Sequence, residues 1–444
     1  MMKRRQRCLG IIWVVLYLVL ALAPLIFMLV GERPMGREFI RELSVAMGFA
    51  GIGLMALHFV MTARIKALKA PFGSDVVYFF HHRMGIVTLA FWLAHPIILF
   101  IRFEWSRALL NIFTAPWRAK FGVASVAVIL ALVIISVWRR KLKIEYTKWR
   151  IWHGVLAVLA MAAVMIHAYM VGRYVGTPAK RAVWLIYGAV CVAAVAYLRI
   201  YKPWQMLRRP FQVVEIKPER GDVWSLLLEP VGHAGIRFRA GQFAWLTAFR
   251  SPFTAHEHPF SFATSADDAS GRVGFAIKEL GDFTQTIGQL KPGDRVYLDG
   301  PYGVFCPDCH TDVDNLVLVA GGVGIATMIS ILRTMADRDD QRPTVLLYGN
   351  PDWESVAYRE ELAELETKLN LKVVHVLERP PEGWEGETGY VTRDVIERYL
   401  PKDGTKSVRA FICGPVGMLN LCEGALRELN VPDRFIHLER FDLA

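Results

Sequence analysis

The sequence predicts a multidomain protein with a six-helix transmembrane bundle, then an antiparallel β-barrel, then an α/β Rossmann-like domain. Three observations lead to this prediction. Apolar residues concentrate in the first 205 or so positions, where six stretches each approach the ~20 residues that a helix needs to cross a bilayer. Short strands of alternating polarity follow, separated by Gly, Pro and Asp. The last third repeats strands at α/β intervals. The predicted domains are 1–205, 210–309 and 312–444.

The six apolar stretches are the predicted membrane helices. They run approximately over 10–30, 43–62, 80–101, 121–138, 151–171 and 182–200. The first could be a signal peptide, because basic residues precede it and Ala21-Leu22-Ala23 resembles a cleavage site. However, the apolar run continues to Val30, and Pro24 stands where cleavage would fall. We therefore expect an uncleaved helix.

Composition and charge narrow the class of protein. The 444-residue chain is 54% hydrophobic with a net charge of +11, and its mean hydropathy of +0.31 is too high for an ordinary soluble protein. A positive charge can indicate a nucleic-acid partner. Here the basic residues cluster at the ends of the apolar segments, so we expect a lipid bilayer and no nucleic acid as partner.

The distribution of basic residues also predicts an orientation. They are densest at the amino terminus, in the second and fourth loops and after the sixth helix. Arg102, Arg107, Arg118 and Lys120 reduce the contrast with the other loops. The positive-inside rule places both termini, and everything after Trp204, in the cytoplasm.

Histidines recur at one spacing in the third and fifth membrane helices. His81 and His95 are fourteen residues apart, and so are His153 and His167. Fourteen helical residues end ~40° short of four full turns with a rise of ~21 Å, so each helix presents two imidazoles on one face at two depths. Two histidines from facing helices at one depth can bind a haem iron axially. The spacing predicts two stacked haems with these four metal ligands.

The histidines also allow other interpretations. A single buried histidine is more often a hydrogen-bonded core residue, and we assign His58 to that class. His82 is the alternative to His81 as a ligand, but its thirteen-residue step to His95 rotates it by about 140° from the shared face. Structural zinc is not favoured, because no cysteine or carboxylate lies nearby in these helices.

The predicted barrel contains residues suited to a flavin. Its strands are predicted at 212–216, 223–228, 242–247, 273–277 and 295–298. The Ser261 hydroxyl can hydrogen-bond a flavin ring, and the neighbouring aromatic side chains give an apolar or stacking surface. Further along, a glycine with adjacent backbone N–H groups and a hydroxyl could hold a pyrophosphate. The candidates are His258, Pro259, Phe260, Ser261, Phe262, Gly281, Asp282, Phe283 and Thr284.

The α/β domain begins with a phosphate-binding pattern. A strand at 315–320 leads into a glycine-rich turn and a helix from about Ala326 to Met335. In this context the glycines let a pyrophosphate reach the amides at the helix N-terminus. Further strands are predicted at 344–348, 372–377, 409–413 and 434–438, and one ends at the edge where ligands bind in open α/β sheets. The nucleotide-binding candidates are Gly321, Gly322, Val323, Gly324, Cys413, Gly414 and Pro415.

Two features of this domain stay open from the sequence. Phe441 could stack on the flavin and be displaced by nicotinamide, or be an ordinary core residue. After the second strand the chain contains Asp352 and Glu354. Two acids and no arginine favour NADH, because a 2′-phosphate prefers an arginine, although Arg359 could reach it.

The six cysteines do not form a disulfide framework, and we expect most of them to be reduced thiols. Cys306-Pro307-Asp308-Cys309-His310 matches the attachment pattern of c-type haem. Such attachment takes place outside the cytoplasm in bacteria. In the predicted orientation this segment is therefore a loop or a thiol pair that can oxidise.

The whole chain resembles the ferric reductase and NADPH oxidase superfamily, specifically its bacterial members. The paired histidines resemble the family's bis-haem ligands, and His258-Pro259-Phe260-Ser261 resembles its flavin motif. Residues 281–284, 321–324 and 413–415 resemble its pyrophosphate, dinucleotide and nicotinamide motifs. Two positions depart from the family. Ile325-Ala326-Thr327 replaces the usual Ile-Thr-Pro, and Leu99 stands where eukaryotic oxidases have a further histidine.

The resemblance implies FAD, two b-type haems and NAD(P)H as cofactors, with Ser261, Cys413 and Phe441 at the site of hydride transfer. We expect an NAD(P)H-dependent flavohaem oxidoreductase of the bacterial inner membrane, with oxygen (giving superoxide) or ferric iron as the extracytoplasmic acceptor. A quinone or a periplasmic protein is the alternative acceptor. One rival is a membrane-anchored cytosolic flavin reductase without a haem relay. Another is a histidine proton channel, which would leave the flavin without an electron outlet.

Overall fold

A computed structural model describes residues 2–30, 35–65, 74–310, 314–401 and 408–440. The chain divides into two compact units, a helical unit up to Lys202 and a mixed unit from Pro203 onwards. The predicted flavin-stacking residue Phe441 lies outside the described residues.

The described part of the helical unit contains six helices that are long and apolar enough to cross a membrane, which confirms the predicted bundle. A short helix α4 precedes α5, and a π-helical turn at Tyr197–Tyr201 joins α7 to α8. The helices are α1 Met2–Leu29, α2 Phe39–Thr62, α3 Ser74–Arg102, α4 Glu104–Arg107, α5 Trp117–Val137, α6 Tyr146–Val171, α7 Pro178–Ala196 and α8 Lys202–Arg208.

The bundle buries one face of its helices and leaves large apolar side chains on the outside, as lipid contact requires. Ile11 and Leu185 are 64% and 67% exposed, whereas Trp92 and Met161 are 5% and 4% exposed in the core. Small residues allow close contact between helices. A Cβ added at Gly53 of α2 would lie 2.1 Å from the Ala21 carbonyl oxygen of α1, so glycine is required there.

The first half of the mixed unit is the predicted antiparallel barrel. Six strands hydrogen-bond in the order β4-β3-β6-β1-β2-β5. A bridge between Phe262 and Phe275 then joins the β4 end to β5, which closes the barrel. The sequence analysis did not predict β4, which is only four residues long and contains Pro259. The strands are β1 Phe211–Glu219, β2 Val223–Pro230, β3 Phe243–Ala248, β4 His258–Ser261, β5 Val273–Lys278 and β6 Arg295–Tyr302.

The second half of the mixed unit is a parallel six-stranded sheet in the order β10-β9-β8-β7-β11-β12. The first strand, β7, pairs with β8 on one side and with β11 on the other. The chain therefore reverses its winding at β7, and this reversal opens a crevice at the carboxyl ends of β7 and β11. The strands are β7 Asn315–Gly321, β8 Thr344–Asn350, β9 Leu371–Leu377, β10 Glu387–Thr388, β11 Val408–Gly414 and β12 Ile436–Arg440.

Helices cover both faces of this sheet, as expected for a doubly wound fold. Helices α9 (Ile325–Asp337) and α10 (Arg359–Lys368) share a core with one face. Helices α11 (Arg393–Tyr399) and α12 (Val416–Glu428) share a core with the other. Barrel residues such as Val223 and Ala276 join the first of these cores, so the barrel and the sheet pack against each other within the mixed unit.

Candidate functional site

The structure brings the four predicted histidines of the helical unit together as two pairs. The first histidine pair is His81 of α3 and His153 of α6, whose ring centroids lie 6.2 Å apart. The second histidine pair is His95 and His167 of the same helices, 6.3 Å apart. His82, the alternative to His81, is exposed on the outside of α3. The fourteen-residue spacing thus gives two pairs at two positions along the same helices.

Each imidazole of the second pair has its Nδ1 atom next to a carbonyl oxygen. His167 Nδ1 lies 2.6 Å from the carbonyl of Arg118, and His95 Nδ1 lies 3.0 Å from the carbonyl of Ser44. A carbonyl can only accept, so both rings donate from Nδ1. A neutral imidazole that donates from Nδ1 has a free lone pair on Nε2, which is available to a metal.

The same tautomer follows for His153. Its Nδ1 lies 3.1 Å from Ser136 Oγ. That hydroxyl already donates its one proton to the Leu132 carbonyl, 2.7 Å away. Ser136 Oγ therefore accepts from His153, and the Nε2 lone pair of this ring is also free.

His81 is oriented through a chain of two hydrogen bonds. The Thr88 hydroxyl donates to the Met84 carbonyl at 2.8 Å and therefore accepts from His58 Nε2 at 3.0 Å. Neutral His58 then has no proton on Nδ1, which accepts from His81 Nδ1 at 2.9 Å. His58 is a buried, hydrogen-bonded histidine, and it orients His81.

The histidine pairs fit haem iron better than a multi-ligand metal site. An imidazole nitrogen binds a metal at roughly 2 Å, so one ion between two rings places their centroids on the order of 6 Å apart. Both pairs have this separation. Metal-binding histidines usually donate their other N–H to a fixed acceptor, as all four do here. Within the described ranges no group of three or more His, Cys, Asp or Glu could hold a metal ion.

Two glycines make room for the second pair, and the sequence analysis missed them. A Cβ at Gly122 would lie 2.9 Å from His167 Nδ1, and one at Gly48 would lie 3.3 Å from His95 Cγ. A glycine inside an apolar helix costs stability, so each could have been noticed as a close-contact site. The serines that accept from His95 and His153 give no comparable pattern in the sequence.

In the barrel, the predicted flavin residues lie on and beside β4. Ser261 is 4% exposed, and no hydrogen-bond partner of its Oγ is found in the described part of the chain. A buried hydroxyl without a partner is costly unless a ligand satisfies it. This observation fits a flavin ring that accepts from, or donates to, Ser261.

The predicted pyrophosphate motif lies next to the flavin motif. The Phe283 ring stacks on His258, with centroids 4.1 Å apart and an interplanar angle of 11°. Thr284 Oγ1 accepts from the N–H of Gly281 at 2.9 Å and caps this turn. A Cβ at Gly281 would meet nothing within 4 Å. The structure therefore leaves open space over the turn, beside Asp282, where a phosphate could approach.

One predicted flavin contact is corrected. Phe262 has no exposed surface and stacks on Phe238 at 4.0 Å inside the barrel core. Its ring fills the barrel and cannot offer a stacking surface. Pro259 and Phe260 on β4 are half-buried and remain candidates. The sequence could not separate these positions, because the strand was not predicted and its two faces were unknown.

The two nucleotide-binding turns contact each other at the sheet crevice. Cys413 pairs with Ala320 at the carboxyl ends of β11 and β7. A Cβ at Gly324 would lie 2.1 Å from the Cys413 carbonyl oxygen, and one at Gly414 would lie 2.5 Å from Met418 Cε. Glycine is required at 324 for this contact between the backbones, whereas the flexible Met418 side chain can move away from a Cβ at 414.

Gly322, which is half-buried, leaves space for a ligand. Its φ is +51°, and a Cβ there would meet nothing within 4 Å. The N-termini of α9 and α12, each thirteen residues long, begin at this edge, next to Val323 and Pro415. Two helix N-termini and an open glycine turn are suited to a pyrophosphate.

Cys413 itself is fully buried. Burial, with Glu439 nearby, raises the pKa of its thiol well above the ordinary value. Its Sγ lies 3.7 Å from Thr327 Oγ1. The thiol is therefore neutral at physiological pH and is not suited to nucleophilic chemistry. Its position near the carboxyl end of β11 places it beside the crevice, below the surface that a nicotinamide ring would contact.

Asp352, the first of the two acids after β8, is fixed by two hydrogen bonds. Asp352 accepts from Ser355 N at 3.0 Å and from Arg379 Nη2 at 2.9 Å. Hydrogen bonds from Ser355 and Arg379 lower the pKa of Asp352, so its carboxylate is ionised at neutral pH. Arg359, the residue that could reach a 2′-phosphate, lies over the Trp353 ring at 4.9 Å and pairs with Glu360 at 3.0 Å.

Two family models match the chain. Residues 47–164 match the ferric reductase like transmembrane component. Residues 318–424 match the oxidoreductase NAD-binding domain. The first match contains His81, His95 and His153 and ends three residues before His167. The second contains both glycine turns of the nucleotide crevice.

Curated relatives match a smaller part of the chain. NADH-cytochrome b5 reductase 2 of Neurospora crassa is 30% identical over 165 residues, 36% of this chain and 48% of that protein. NADH-cytochrome b5 reductase 1 of Cryptococcus neoformans is 31% identical over 182 residues, 38% of this chain and 61% of that protein. The enzyme of the same name from Laccaria bicolor is 34% identical over 177 residues, which are 38% of this chain and 56% of that protein. The chain thus spans about half the length of the curated relatives it matches.

Solved structures are similar at lower identity. The FAD/NAD-binding domain of nitric oxide dioxygenase from Vibrio cholerae is 23% identical with a TM-score of 0.46, covering 52% of this chain and 98% of that chain. The flavohemoglobin from Malassezia yamatoensis is 16% identical with a TM-score of 0.48, covering 90% and 97%.

Proposed function

Because the chain joins a ferric reductase-like transmembrane component to an oxidoreductase NAD-binding domain, and so fits the ferric reductase and NADPH oxidase superfamily, we propose that it is a transmembrane oxidoreductase. It passes electrons from NAD(P)H through FAD and two b-type haems to an acceptor across the membrane, oxygen or ferric iron. The observation that carries the proposal is that Nδ1 of each of the four paired histidines lies 2.6–3.1 Å from a hydrogen-bond acceptor. Each ring therefore donates from Nδ1 and leaves Nε2 free.

Each histidine pair would hold one haem. His81 and His153 supply the two Nε2 atoms of one site, and His95 and His167 supply those of the other. Bound haem iron exchanges single electrons, and bound flavin connects this to two-electron hydride transfer from a nicotinamide. The protein keeps the imidazoles in position, because every Nδ1 proton is already committed to an acceptor.

The mixed unit would bind the flavin and the nucleotide. Ser261 supplies a buried hydroxyl to the flavin ring, and the turn at 281–284 supplies backbone N–H groups to its pyrophosphate. Gly322 and the N-terminus of α9 receive the nucleotide's pyrophosphate. Cys413 is buried beside this crevice, near the carboxyl end of β11, and stays protonated throughout.

The orientation follows from charge. Six basic residues stand between 139 and 150, directly after α5, and further basic residues follow α7. The positive-inside rule supports a cytoplasmic position for this side and for the mixed unit, with both termini inside. In a cell with a negative interior, moving one electron outward releases about 2.3 kcal/mol per 100 mV. The membrane potential thus favours an external acceptor.

Variants of the second pair test the relay. We expect His95→Ala and His167→Ala each to remove about half of the haem absorbance and to abolish acceptor reduction, because each leaves one iron with a single imidazole. His82→Ala is the matched control, since this exposed histidine lies on the same helix and outside both pairs. The acceptors to assay are oxygen with superoxide detection, a ferric chelate and a quinone.

The same variants separate the rivals. If His95→Ala loses haem but keeps the full rate of NADH oxidation with the same acceptor, the protein is a membrane-anchored flavin reductase. Another outcome is electron transfer only to a quinone or an added periplasmic protein, with no transfer to oxygen or ferric chelates. In that case the proposed acceptor is wrong and the haem relay is retained.

A further inference from the structure

The loop between the barrel and the parallel sheet carries a pair of cysteines that the proposed electron relay does not use. Cys306 directly precedes a single helical turn, Pro307–Cys309, and Cys309 ends it. Their Cα atoms are 5.4 Å apart, and their sulfur atoms are bonded to each other. The described cysteines Cys191, Cys413 and Cys422 are buried and unbonded. Among the cysteines whose side chains the structure describes, Cys306 and Cys309 are the one local pair at disulfide distance, in a segment that joins two lobes.

The two sulfur atoms differ in accessibility. Cys306 is fully buried, whereas Cys309 is partly exposed. Arg239 Nη1, on the exposed surface of the barrel, donates to Cys309 Sγ at 3.4 Å. A guanidinium beside a sulfur stabilises its thiolate. Cys309 is therefore the sulfur that an incoming thiolate can reach, and Arg239 stabilises its thiolate when the mixed disulfide is resolved and Cys309 is released.

The cysteine loop contacts both lobes of the mixed unit. On the barrel side, the Phe305 carbonyl packs so closely on Gly241 that a Cβ there would lie 1.9 Å from it. On the sheet side, the Phe305 ring meets Phe411 of β11 edge-on at 5.2 Å. Arg338 at the end of α9 binds Asp308 of the loop at 2.9 Å and also binds Asp267 of the barrel.

These contacts lead to both candidate reaction sites. Gln242 follows Gly241, and its side chain donates to the Gly303 carbonyl at 3.0 Å. The next residue, Phe243, pairs with Ser261 across β3 and β4. Phe411 lies two residues before Cys413 on β11. A change in the loop therefore acts on the strands that carry the flavin hydroxyl and the nicotinamide crevice.

We propose that Cys306 and Cys309 form a reversible thiol–disulfide exchange site whose substrate is a dithiol. A partner thiolate attacks Cys309 Sγ, the Cys306–Cys309 bond breaks, and Cys306 leaves as a thiolate that takes up a proton. The partner's second thiolate then attacks its own sulfur in the mixed disulfide and releases Cys309, which also takes up a proton. The partner is oxidised to a disulfide and the loop is reduced to two thiols, so two electrons are transferred.

The exchange controls the alignment of flavin and nicotinamide. The disulfide closes a short ring over residues 306–309, directly after Phe305, whose carbonyl and ring contact Gly241 and Phe411, and reduction releases the constraint on this segment. Hydride transfer depends on close alignment of the two rings, so the reduced loop gives a slower reaction. The site goes beyond the proposed haem relay, because thiol exchange needs neither haem.

Thiol labelling of the full-length protein in detergent tests the exchange directly. The protein is equilibrated at a series of glutathione to glutathione-disulfide ratios, and separately with thioredoxin, thioredoxin reductase and NADPH, then alkylated and mapped by peptide mass. We expect Cys306 and Cys309 to become alkylated together, as one two-electron couple, while Cys422 does not respond. Faster reduction by thioredoxin supports a dithiol partner, and equal rates with the monothiol glutathione would overturn it. The exchange site would be overturned if both cysteines stay alkylatable at every glutathione ratio. It would also be overturned if the protein binds one zinc ion per chain and the Cys306→Ser variant loses it.

Stopped-flow reduction of the flavin by NADH tests the coupling. The oxidised protein should react at least about threefold faster than the reduced protein. The double variant Cys306→Ser, Cys309→Ser should keep the slow rate at every redox ratio, whereas Cys422→Ala should keep the full response. Equal rates in both redox states of the folded, flavin-loaded protein would overturn the control of alignment while leaving the labelling result intact.

Discussion

The Nδ1 atom of His167 donates to the main-chain carbonyl of Arg118 at 2.6 Å. This one contact fixes the tautomer of the ring, because a carbonyl cannot donate in return. It also leaves the Nε2 lone pair free, on a ring whose centroid lies 6.3 Å from that of His95. The backbone of α5 therefore orients the His167 imidazole on α6.

Gly122→Ala should weaken haem binding at the second histidine pair. The new Cβ would lie 2.9 Å from His167 Nδ1 and displace the ring from its acceptor. We expect about half of the haem absorbance to be lost, with weaker binding by roughly 10- to 100-fold at that site. Haem content by the pyridine haemochrome method checks this. Gly188→Ala is the control, because its Cβ would make only an ordinary contact at 3.6 Å; equal haem content in both variants would contradict the prediction.

Thr88→Val should affect the first haem and leave the second unchanged. Valine cannot accept from His58 Nε2, so His58 can move its proton to Nδ1, where it opposes the Nδ1 proton of His81. We expect the midpoint potential or occupancy of one haem alone to change, which a spectroscopic redox titration resolves. Thr62→Val is matched, since Thr62 bonds only the backbone of its own helix near His58. Two unchanged haem components would show that the tautomer does not depend on Thr88.

Gly324→Ala should disrupt nucleotide binding. Its Cβ would lie 2.1 Å from the Cys413 carbonyl and force the two turns apart. Overpacking of this kind costs about 1–3 kcal/mol, equivalent to about 5- to 150-fold in kcat/KM for NADH. Gly424→Ala, in the middle of α12 with nothing within 4 Å of the added atom, is the control and should retain activity. A normal KM for NADH in Gly324→Ala would mean that the crevice is not the nucleotide site.

Asp352→Asn should increase the use of NADPH relative to NADH. The carboxylate is ionised at neutral pH, because Ser355 and Arg379 lower its pKa, and it repels a 2′-phosphate. Asparagine keeps the cap on Ser355 and removes the charge. We expect the ratio of kcat/KM for NADPH to that for NADH to rise by about fivefold. Asp339→Asn is the control, because it removes an exposed acid after α9, and it should leave the ratio unchanged. An unchanged ratio in Asp352→Asn would mean that the ribose of the nucleotide binds elsewhere.

The sequence predicted the membrane helices and most strands, because long apolar runs and alternating polarity are local patterns. It missed β4, where Pro259 and a length of four residues hide the strand. It predicted the histidine spacing, since one helix sets the distance from His81 to His95. The acceptors could not be predicted in the same way. His58 and His81 are 23 residues apart on different helices, and only packing brings their rings together.

The nucleotide crevice also has some features that the sequence predicts and others that it does not. The glycines at 321–324 were predicted from the strand–turn–helix context. The contact of Gly324 with Cys413 joins residues 89 positions apart and depends on the strand order β7-β11, which the sequence does not specify. The approach of Arg239 to Cys309 is equally non-local, with 70 positions between them. Phe441 stays a prediction.

A visible spectrum of the detergent-purified full-length protein, before and after anaerobic addition of NADH, tests the two-haem relay most directly. The account predicts about two b-type haems per chain, bound FAD, and sharp reduced haem bands that appear after the flavin absorbance has fallen. Flavin bleaching by NADH with no haem absorbance would contradict the relay and leave a membrane-anchored flavin reductase.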